Sequence, residues 1–294
     1  MSPAPTPRTP TPRTPATQAA ATPSPPSPAT PSPAAPTPGS STPAAHATRA
    51  PRGPALILGA GSDIARALAR GLAERGCPLR LAGRDPAALE RDRADLALRF
   101  GVEVTTHAYD ATDLAGIEAF LDALPETPRI VVSAVGLMGD QDANAADPAL
   151  AARIVATNFT GPALTLEAAA RRMAALDAPT AVIGVGSVAG DRGRAKNYVY
   201  GAAKAGFAAW LSGMRQKYAR SRLLVMTVRP GFVETAMTAG MDLPKPLLTT
   251  PDAFAARVLR GLDRGRMVHV DLRWRVLMAV ITHLPERIFS RLRF

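Results

Sequence analysis

The chain has 294 residues and a formal net charge of +11 at pH 7, with one cysteine, Cys77. A single cysteine excludes an internal disulfide and is typical of a cytoplasmic protein. The charge comes from 31 Arg and 4 Lys. No basic stripe with interleaved aromatic residues and no metal-ligand spacing occurs, so we expect neither a nucleic-acid partner nor a bound metal. No apolar run reaches the roughly 18–20 residues that cross a membrane.

Residues 1–53 consist mainly of Pro, Ala, Thr and Ser. They contain no Asp or Glu, and after Met1 no large apolar side chain occurs before Leu56. Such a segment cannot bury enough apolar surface to offset its ordering entropy, so it is predicted to be disordered with polyproline II character. It lacks the apolar core of a signal peptide. We interpret it as a linker, a tether or the result of an upstream start codon chosen wrongly.

From residue 54 onward, short apolar runs alternate with longer amphipathic ones. The candidate strands are 55–59, 79–83, 102–108, 129–135, 181–186, 223–230 and 267–271. The candidate helices are 62–75, 86–100, 112–124, 147–176, 198–220 and 251–264. Nearly continuous hydrophobic strands separated by helices predict a parallel sheet covered on both faces. We therefore expect one α/β domain over 54–271, with a doubly wound, Rossmann-type sheet and ligands at the carboxyl ends of its strands.

The first strand runs into the sequence LGAGSDIARA. Gly59 and Gly61 are suited to a tight turn, and Ser62 is a candidate N-cap of the helix that follows. The amino terminus of a helix after such a turn can hold a pyrophosphate. By itself this pattern is weak evidence, because many turns of α/β proteins contain glycine.

The sequence NYVYGAAKAG holds two tyrosines and one lysine. Tyr200 and Lys204 are four residues apart and share one face of the predicted helix, whereas Tyr198 has Ala202 at that offset. A cation beside a phenol favours the phenolate, so we expect Lys204 to lower the pKa of Tyr200. The alternative is a half-buried tyrosine and a solvated lysine with no shared role.

Residues 54–294 resemble the short-chain dehydrogenases/reductases. Gly59 matches the first glycine of the family's Gly-x-x-x-Gly-x-Gly turn, while Asp63 and Ala65 stand where the second and third glycines occur. Ser187 lies thirteen residues before Tyr200, as the family's catalytic serine does. Asn158, in ATNFTG, matches the family's catalytic asparagine.

The resemblance implies a role for each of these residues. Tyr200 would donate a proton to a carbonyl oxygen as hydride reaches the carbon, and Ser187 would hydrogen-bond the same oxygen. Lys204 would hold the nicotinamide ribose, and Asn158 would position a water that relays protons to the lysine. The remaining residues implied in cofactor binding are Gly59, Gly61, Ser62, Asp63, Ile64, Arg84, Asp110, Gly136, Pro230, Gly231, Val233 and Thr235.

The end of the second strand bears on the choice of cofactor. In this fold an acidic residue there binds the ribose of NAD, while an arginine accommodates the 2′-phosphate of NADP. The sequence LAGRDP places Gly83 at the acidic position, followed by Arg84. NADP(H) is therefore favoured over NAD(H), although Asp85 could reach the ribose instead.

A narrower resemblance covers the second half of the chain, in GLMGD, TNFTG, AGDRGRAKNYVYGAAKAG, VRPGFVETAMTAGM and the sequence from 274 to 292. These segments are similar to the decaprenylphosphoryl 2-keto-erythro-pentose reductases. The resemblance implies a lipid-linked keto sugar as the carbonyl substrate, a flavin-dependent oxidase as a partner and a homo-oligomer. Two alternatives stay open, namely a soluble reductase of a small ketone or acyl thioester and a regulator that binds NADP without turnover.

Residues 272–294 form a basic amphipathic tail with Ile288, Phe289 and Leu292 beside several arginines. Basic residues next to an apolar helix suit an anionic membrane surface, here the inner face of the membrane. A subunit interface is an equally good explanation. Arg192 and Arg194, just after Ser187, either contact a substrate phosphate or face water.

Overall fold

The computed structural model describes residues 51–292. The predicted disordered segment 1–53 therefore lies outside the described residues except for its last three. Of these, Pro51 is buried and Gly53 lies against the side chain of Arg129.

Nine strands and ten α-helices are assigned within residues 51–292. The strands are β1 Ala55–Leu58, β2 Leu79–Gly83, β3 Val104–Ala108, β4 Ile130–Ser133, β5 Thr180–Val185, β6 Leu223–Val228, β7 Phe232–Val233, β8 Leu248–Thr249 and β9 Val268–His269. The helices are α1 Asp63–Ala73, α2 Glu90–Phe100, α3 Ile117–Asp122, α4 Gln141–Ala146, α5 Pro148–Val155, α6 Gly161–Ala174, α7 Tyr198–Lys217, α8 Pro251–Asp263, α9 Leu272–His283 and α10 Glu286–Phe289.

Seven strands form one parallel sheet in the order β3-β2-β1-β4-β5-β6-β9, which confirms the predicted doubly wound fold. The order reverses between β1 and β4, and ligands of such sheets bind at the carboxyl ends next to this reversal. Gly59 lies there with φ +75°. A Cβ at this position would lie 3.0 Å from the backbone of Val135, so a glycine is needed where the two strand ends meet.

The sheet is buried on both faces. One core cluster joins α1 and α8 to the sheet through residues such as Leu68 and Phe254, and the other joins α6 and α7 through Leu166 and Phe207. All four residues of β1 are buried. This accounts for the nearly continuous apolar strands, because a strand covered on both sides has no solvent-facing position.

The single helix predicted over 147–176 is wrong in detail. Asp147 caps α5, whose first residue is Pro148, and the helix is then interrupted by a π-helical turn, Ala156–Thr160, before α6. Helix α4, capped by Asp140, was not predicted because its sequence, QDANAA, has no apolar periodicity. The small parallel pair of β7 and β8 was also missed, since two residues are too few to form a pattern.

The predicted tail forms α9 and α10. Helix α9 buries Trp274 and Met278 against Val188, Phe232 and Leu247. The Trp274 Nε1 donates a hydrogen bond to the Leu247 carbonyl at 3.0 Å. One face of the tail is therefore part of the fold.

None of the helices within residues 51–292 combines the length and the apolar character needed to cross a bilayer. Over the same residues, no three His, Cys, Asp or Glu side chains are grouped so as to hold a metal ion.

Candidate active site

Tyr200 and Lys204 lie on α7, and both side chains are buried, with 9% and 2% of their surface exposed. The Lys204 Nζ lies 5.8 Å from the centroid of the Tyr200 ring. Tyr198, in contrast, is 48% exposed. Of the two tyrosines in the motif, Tyr200 is thus the one that faces the interior beside the lysine.

Lys204 is held between the ends of two central strands. Its Nζ donates hydrogen bonds to the carbonyl oxygens of Val135, at 3.1 Å, and Val185, at 3.0 Å. Val135 follows β4, and Val185 is the last residue of β5. Burial lowers the pKa of Lys204 to about 7, because surroundings of low polarity disfavour the ammonium form.

The expected lowering of the Tyr200 pKa is wrong for the protein without ligands. Burial raises the pKa of Tyr200 to about 12, while a hydrogen bond with Ser187 acts in the opposite direction. Lys204 does not offset this desolvation of the phenolate, because the same burial favours the neutral amine of the lysine. Tyr200 therefore keeps its proton at neutral pH and is available as a proton donor.

Ser187 follows β5 and caps a short 3₁₀ turn, Val188–Gly190. Its Oγ accepts a hydrogen bond from the Ala189 backbone N–H at 3.0 Å. The turn is pressed against α7, since a Cβ on Gly190 would lie 2.7 Å from the Ala205 backbone nitrogen. This close packing of the serine turn on α7 brings Ser187 next to Tyr200.

Asn158 lies in the π-helical turn, with none of its surface exposed. Its Nδ2 donates to the carbonyl oxygens of Ile154, at 2.8 Å, and Leu137, at 2.7 Å. Its Oδ1 accepts a hydrogen bond from the Leu137 N–H at 3.1 Å. The side chain thereby fixes the segment after β4 against the helix. π-helical turns within longer helices frequently occur at functional sites.

Gly136 lies where several of these groups meet. A Cβ on Gly136 would lie 3.6 Å from Asn158 Oδ1, 3.9 Å from Lys204 Nζ and 3.5 Å from the methyl group of Met237. Ser187, Tyr200, Lys204 and Asn158 are thus brought to one end of β4 and β5. We refer to Gly136, Asn158 and Lys204 together as the lysine corner.

The first turn has the predicted helix cap. Ser62 caps α1, and its Oγ accepts a hydrogen bond from the Ala65 N–H at 3.3 Å. A Cβ on Gly61 would meet a single neighbour, Leu89 Cδ2 at 3.9 Å, so space is open in front of this backbone. The Asp63 carboxylate points to the segment after β7, where its Oδ2 accepts a hydrogen bond from the Ala236 N–H at 2.8 Å. Ile64 is half-buried in the next position.

Arg84 follows β2 and is exposed, with no hydrogen bond or ion pair to any of residues 51–292. Asp85, the alternative contact for the ribose, accepts hydrogen bonds from the N–H groups of Ala87 and Ala88 at 3.0 and 3.3 Å. The carboxylate of Asp85 is thus occupied in starting the next helical turn, while the guanidinium of Arg84 is free.

Asp110 follows β3 and is exposed. Its Oδ1 accepts hydrogen bonds from both the N–H and the Oγ1 of Thr112, each at 2.8 Å. These bonds hold the pKa of Asp110 below its ordinary value, with Arg84 contributing through its charge. Asp110 and Arg84 lie at the ends of β3 and β2, away from the lysine corner.

The segment after β6 contains Pro230, Gly231, Val233 and Thr235. The Pro230 carbonyl accepts a hydrogen bond from the Val188 N–H at 3.0 Å, which joins this segment to the serine turn. The Thr235 N–H donates to Thr238 Oγ1 at 3.1 Å, and Val233 is buried.

Gly231 lies directly against the indole of Trp274, and any Cβ on Gly231 would overlap that ring. Phe232 packs edge to face on the same ring, with the centroids 4.8 Å apart. Sequence reasoning missed this role of Trp274. No pattern in the sequence could have shown it, because Trp274 and Gly231 lie on separate segments of the chain.

Arg192 also has a role that the sequence did not predict. Its Nη1 donates to the carbonyl oxygens of Ile281 and Leu284, both at 2.6 Å, and its Nη2 pairs with Glu286 at 2.7 Å. The guanidinium lies 3.8 Å from the centroid of the Phe289 ring. Arg192 therefore binds the carboxyl end of α9 and neither faces water nor is free for a substrate phosphate. Arg194 is partly buried, and its Nε has no hydrogen-bond partner among residues 51–292.

A nicotinamide dinucleotide fits these residues. The open backbone at Gly61 and the amino terminus of α1 would hold the pyrophosphate. The free guanidinium of Arg84 would take the adenosine side, and Lys204 and Thr235 would take the nicotinamide side. The cofactor, when bound, supplies the hydride.

The sequence profile described as short chain dehydrogenase matches residues 54–245. The chain belongs to the short-chain dehydrogenase family. As a member of it, the protein is an NAD(P)-dependent oxidoreductase, and its fold and the order of its motifs agree with that assignment.

Two bacterial relatives of this dehydrogenase show how far the likeness extends. An uncharacterized oxidoreductase of Mycobacterium tuberculosis is 36% identical over 245 residues, which cover 81% of this chain and 96% of the relative. An uncharacterized oxidoreductase of Streptomyces coelicolor is 34% identical over 241 residues, covering 81% and 94%.

Solved structures give the same result for the fold. A short-chain dehydrogenase from Sphingobium yanoikuyae in complex with NADPH matches with a TM-score of 0.66 and 27% identity, over 82% of this chain and 96% of that one. A bulky-bulky ketone specific alcohol dehydrogenase from Comamonas testosteroni matches with a TM-score of 0.65 and 25% identity, over 82% and 94%. A 3-oxoacyl-[acyl-carrier protein] reductase from Brucella melitensis in complex with NAD matches with a TM-score of 0.62 and 26% identity, over 73% and 90%.

Proposed function

We propose that this dehydrogenase works as a ketoreductase, with Tyr200 as its proton donor and NADPH as its hydride source. The observation that carries the proposal is the meeting of Ser187, Tyr200, Lys204 and Asn158 at one end of β4 and β5, from three separate segments of the chain. Each of these side chains is fixed by hydrogen bonds or burial, so the arrangement is formed before any ligand binds.

The proposed reaction needs a proton at the carbonyl oxygen when hydride reaches the carbon. Tyr200 holds its proton at neutral pH, because burial raises its pKa to about 12. Ser187 hydrogen-bonds the same oxygen and stabilises the developing negative charge. Lys204, once charged, draws the phenol towards the phenolate, and Asn158 keeps the segment at Leu137 in place beside it.

The preference for NADPH rests on Arg84. Its guanidinium is exposed and unpaired within residues 51–292, whereas the Asp85 carboxylate is occupied by two backbone N–H groups. A free guanidinium at the end of β2 suits a 2′-phosphate, and an occupied carboxylate is poorly placed to bind a ribose hydroxyl.

Oxidation of NADPH with a panel of ketones and acyl thioesters tests this function, with NADPH binding followed by fluorescence. We expect turnover with at least one carbonyl class and tighter binding of NADPH than of NADH. Binding without turnover across the panel would favour the alternative of a regulator that senses NADP. No binding of either nucleotide would refute the proposal as a whole.

For the substrate we propose a keto sugar linked to a polyprenyl phosphate, with a flavin-dependent oxidase as the enzyme that supplies it. The support is the resemblance of five segments of the second half, together with the surface of the tail described below. Reduction of a short-chain prenyl-phosphate keto pentose is compared with reduction of the free keto sugar and of an acyl thioester. A preference for either of the last two would replace this substrate with the soluble alternative.

We further propose that the tail lies on the inner face of an anionic membrane. Helix α9 buries one face and leaves Leu272, Val276 and Val280 between 59% and 63% exposed, at a spacing of four residues. Ile288 and Leu292 extend the exposed apolar surface, with 52% and 45% exposed. We call these five residues the apolar stripe.

The charge beside the apolar stripe favours lipid over a second copy of the chain. Arg275, Arg287 and Arg291 are exposed and have no acidic partner within residues 51–292. Glu286, the acid in this region, is already paired with Arg192. Pairing two copies through this face about a two-fold axis would bring like charges together, whereas anionic headgroups would neutralise them. The homo-oligomer that we expect from the family would then form through other surfaces.

Sedimentation with phosphatidylglycerol vesicles tests the membrane proposal. We expect binding at low salt, release at high salt and little binding to phosphatidylcholine, because exposed charges are screened within about 8 Å at physiological ionic strength. Replacing Arg275, Arg287 and Arg291 with Gln should abolish binding. The control replaces the exposed residues Arg91, Arg220 and Arg260 with Gln, so that the control and the test variant have the same net charge. If the unmodified protein does not bind vesicles and the triple variant changes its oligomeric state, the apolar stripe belongs to a subunit interface.

A further inference from the structure

The carboxylate of Asp63 connects two parts of the cofactor region that are far apart in sequence. It stands in the first turn of α1, at a position where the family pattern has glycine, and it accepts a hydrogen bond from the Ala236 N–H at 2.8 Å. Glycine cannot form this bond. The other oxygen of the carboxylate, Oδ1, lies 3.8 Å from the Arg66 guanidinium.

Ala236 belongs to a tight turn between Val233 and Thr238. Thr238 Oγ1 accepts a hydrogen bond from the Thr235 N–H at 3.1 Å and donates to the Val233 carbonyl at 2.6 Å. The next residue along, Met237, places its methyl group 3.5 Å from the Cβ position of Gly136. The turn therefore covers the lysine corner, and Thr235, the proposed contact for the nicotinamide, lies at its start.

Little side-chain packing supports the turn from behind. A cavity of about 700 Å³ lies between it and α1, lined by residues that include Asp63, Arg66, Arg70, Thr238, Met241 and Lys245. Gly240, two residues after the turn, has φ +79° and no atom within 4 Å of its Cβ position. A turn beside such a space can shift, so the hydrogen bond from Ala236 to Asp63 has a large influence on its position.

We propose that Asp63 is a positioning residue, whose bond to Ala236 holds the Val233–Thr238 turn over the lysine corner and sets Thr235 for the nicotinamide dinucleotide. The identity of the cofactor is taken from the proposed function, but the bond and the turn are features of the ligand-free protein. Asp63 does not touch the reacting atoms in this proposal.

The test uses the full chain with Asp63→Ala, which removes the acceptor, and Asp63→Asn, which keeps an oxygen at the same place without the charge. Hydrogen exchange of the ligand-free protein is measured over residues 233–241, and NADPH binding is measured separately. Asp92→Ala is the matched control, since Arg66 pairs with both Asp92, at 2.8 Å, and Asp63, at 3.8 Å, and only Asp63 is bonded to the turn.

We expect Asp63→Ala to speed exchange over 233–241 about tenfold and to weaken NADPH binding by a similar factor, in line with one lost hydrogen bond to a charged group. Asp63→Asn and Asp92→Ala should stay within about threefold of the unmodified protein in both measurements. Unchanged exchange in Asp63→Ala would overturn the proposal, as would an Asp63→Asn variant equal to Asp63→Ala. Failure of every variant and of the unmodified protein to bind NADPH would instead refute the proposed function, while the exchange result would still decide the role of the bond.

Discussion

At the ends of β4 and β5 the predicted catalytic side chains are buried, whereas at the ends of β2 and β3 the predicted cofactor contacts are exposed. Asn158 and Lys204 have 0% and 2% of their surface exposed, and each makes two or more hydrogen bonds to backbone groups. Arg84 and Asp110 lie on the surface, and Arg84 forms no hydrogen bond or ion pair with residues 51–292.

The difference has a physical consequence. Leaving a buried polar group without its hydrogen-bond partner destabilises the fold by about 1–3 kcal/mol. A substitution at the lysine corner therefore also affects the partners that it leaves unpaired. An exposed arginine can be replaced with little effect on the fold. In the function that we propose, the chemistry is thus tied to the core of the domain, while the choice between the two nicotinamide cofactors is a property of its surface.

The strongest test of this contrast is Tyr200→Phe. We expect kcat to fall about 10²- to 10⁴-fold, the range for loss of a general acid, with NADPH binding nearly unchanged. Tyr198→Phe is the matched control and should be mild, because Tyr198 is 48% exposed. Steady-state kinetics and fluorescence titration measure the two effects. A greater loss in Tyr198→Phe than in Tyr200→Phe would show that Tyr200 is not the proton donor.

On the exposed side, Arg84→Ala should weaken NADPH binding by about 10- to 150-fold, since a guanidinium bonded to phosphate contributes about 1.5–3 kcal/mol. NADH binding should barely change, and the melting temperature should stay the same. Arg91→Ala, which removes another exposed charge nearby, is the control. Equal losses for the two nucleotides would count against a 2′-phosphate site.

Gly231→Ala tests the packing of Trp274, in the tail, against the segment that follows β6. An added methyl must displace the Trp274 indole, so we expect a loss of about 1–3 kcal/mol in the free energy of unfolding. Gly213→Ala in the open part of α7 should instead be neutral or slightly stabilising, because nothing lies near its Cβ position. Denaturant unfolding compares the two. Equal stability would mean that the tail does not pack as described.

The smallest expected effect is a pH dependence of stability that comes from Lys204. Its pKa is about 7 in the folded protein and about 10.4 in the unfolded chain, so unfolding takes up a proton between these values. Raising the pH through this window therefore disfavours unfolding. From pH 7 to pH 9 the ligand-free protein should gain on the order of 1–2 kcal/mol relative to Lys204→Met.

Lys217→Met is the control for that measurement. Lys217 is exposed and paired with Glu167, which raises its pKa, so it keeps its charge in both states up to pH 9. Its replacement should leave the pH profile of stability unchanged. Parallel profiles for the protein and Lys204→Met would show that Lys204 is charged in the fold.

The seven strands of the main sheet could be predicted from the sequence because each buried parallel strand leaves a short apolar run between helices. The motifs could be recognised by their order along the chain. The choice of Tyr200 over Tyr198 followed from helical spacing alone. Ser62 was recognised as a helix cap from its position after a glycine turn, and the structure confirms it.

Other features depend on contacts that sequence spacing does not record. The rise in the Tyr200 pKa comes from burial, which no local pattern reports. Arg192 binds carbonyl groups about ninety residues away, and Trp274 covers a glycine in a different segment. The π-helical turn at Asn158 was read as part of one long helix, since its residues continue the same apolar pattern.

That π-helical turn also bears on how the length of the chain can change. A π turn carries one residue more than an α turn and behaves as a single-residue insertion that the helix has absorbed. Deleting one residue from 156–160 would restore a regular helix and leave α5 and α6 in nearly the same rotational phase, because a π turn rotates the chain about as far as an α turn that is one residue shorter. Gly161 would then keep its packing against the Ala111 backbone, but the turn that presents Asn158 to Leu137 would be lost. A one-residue deletion here is therefore expected to leave the fold in place and to disturb the lysine corner.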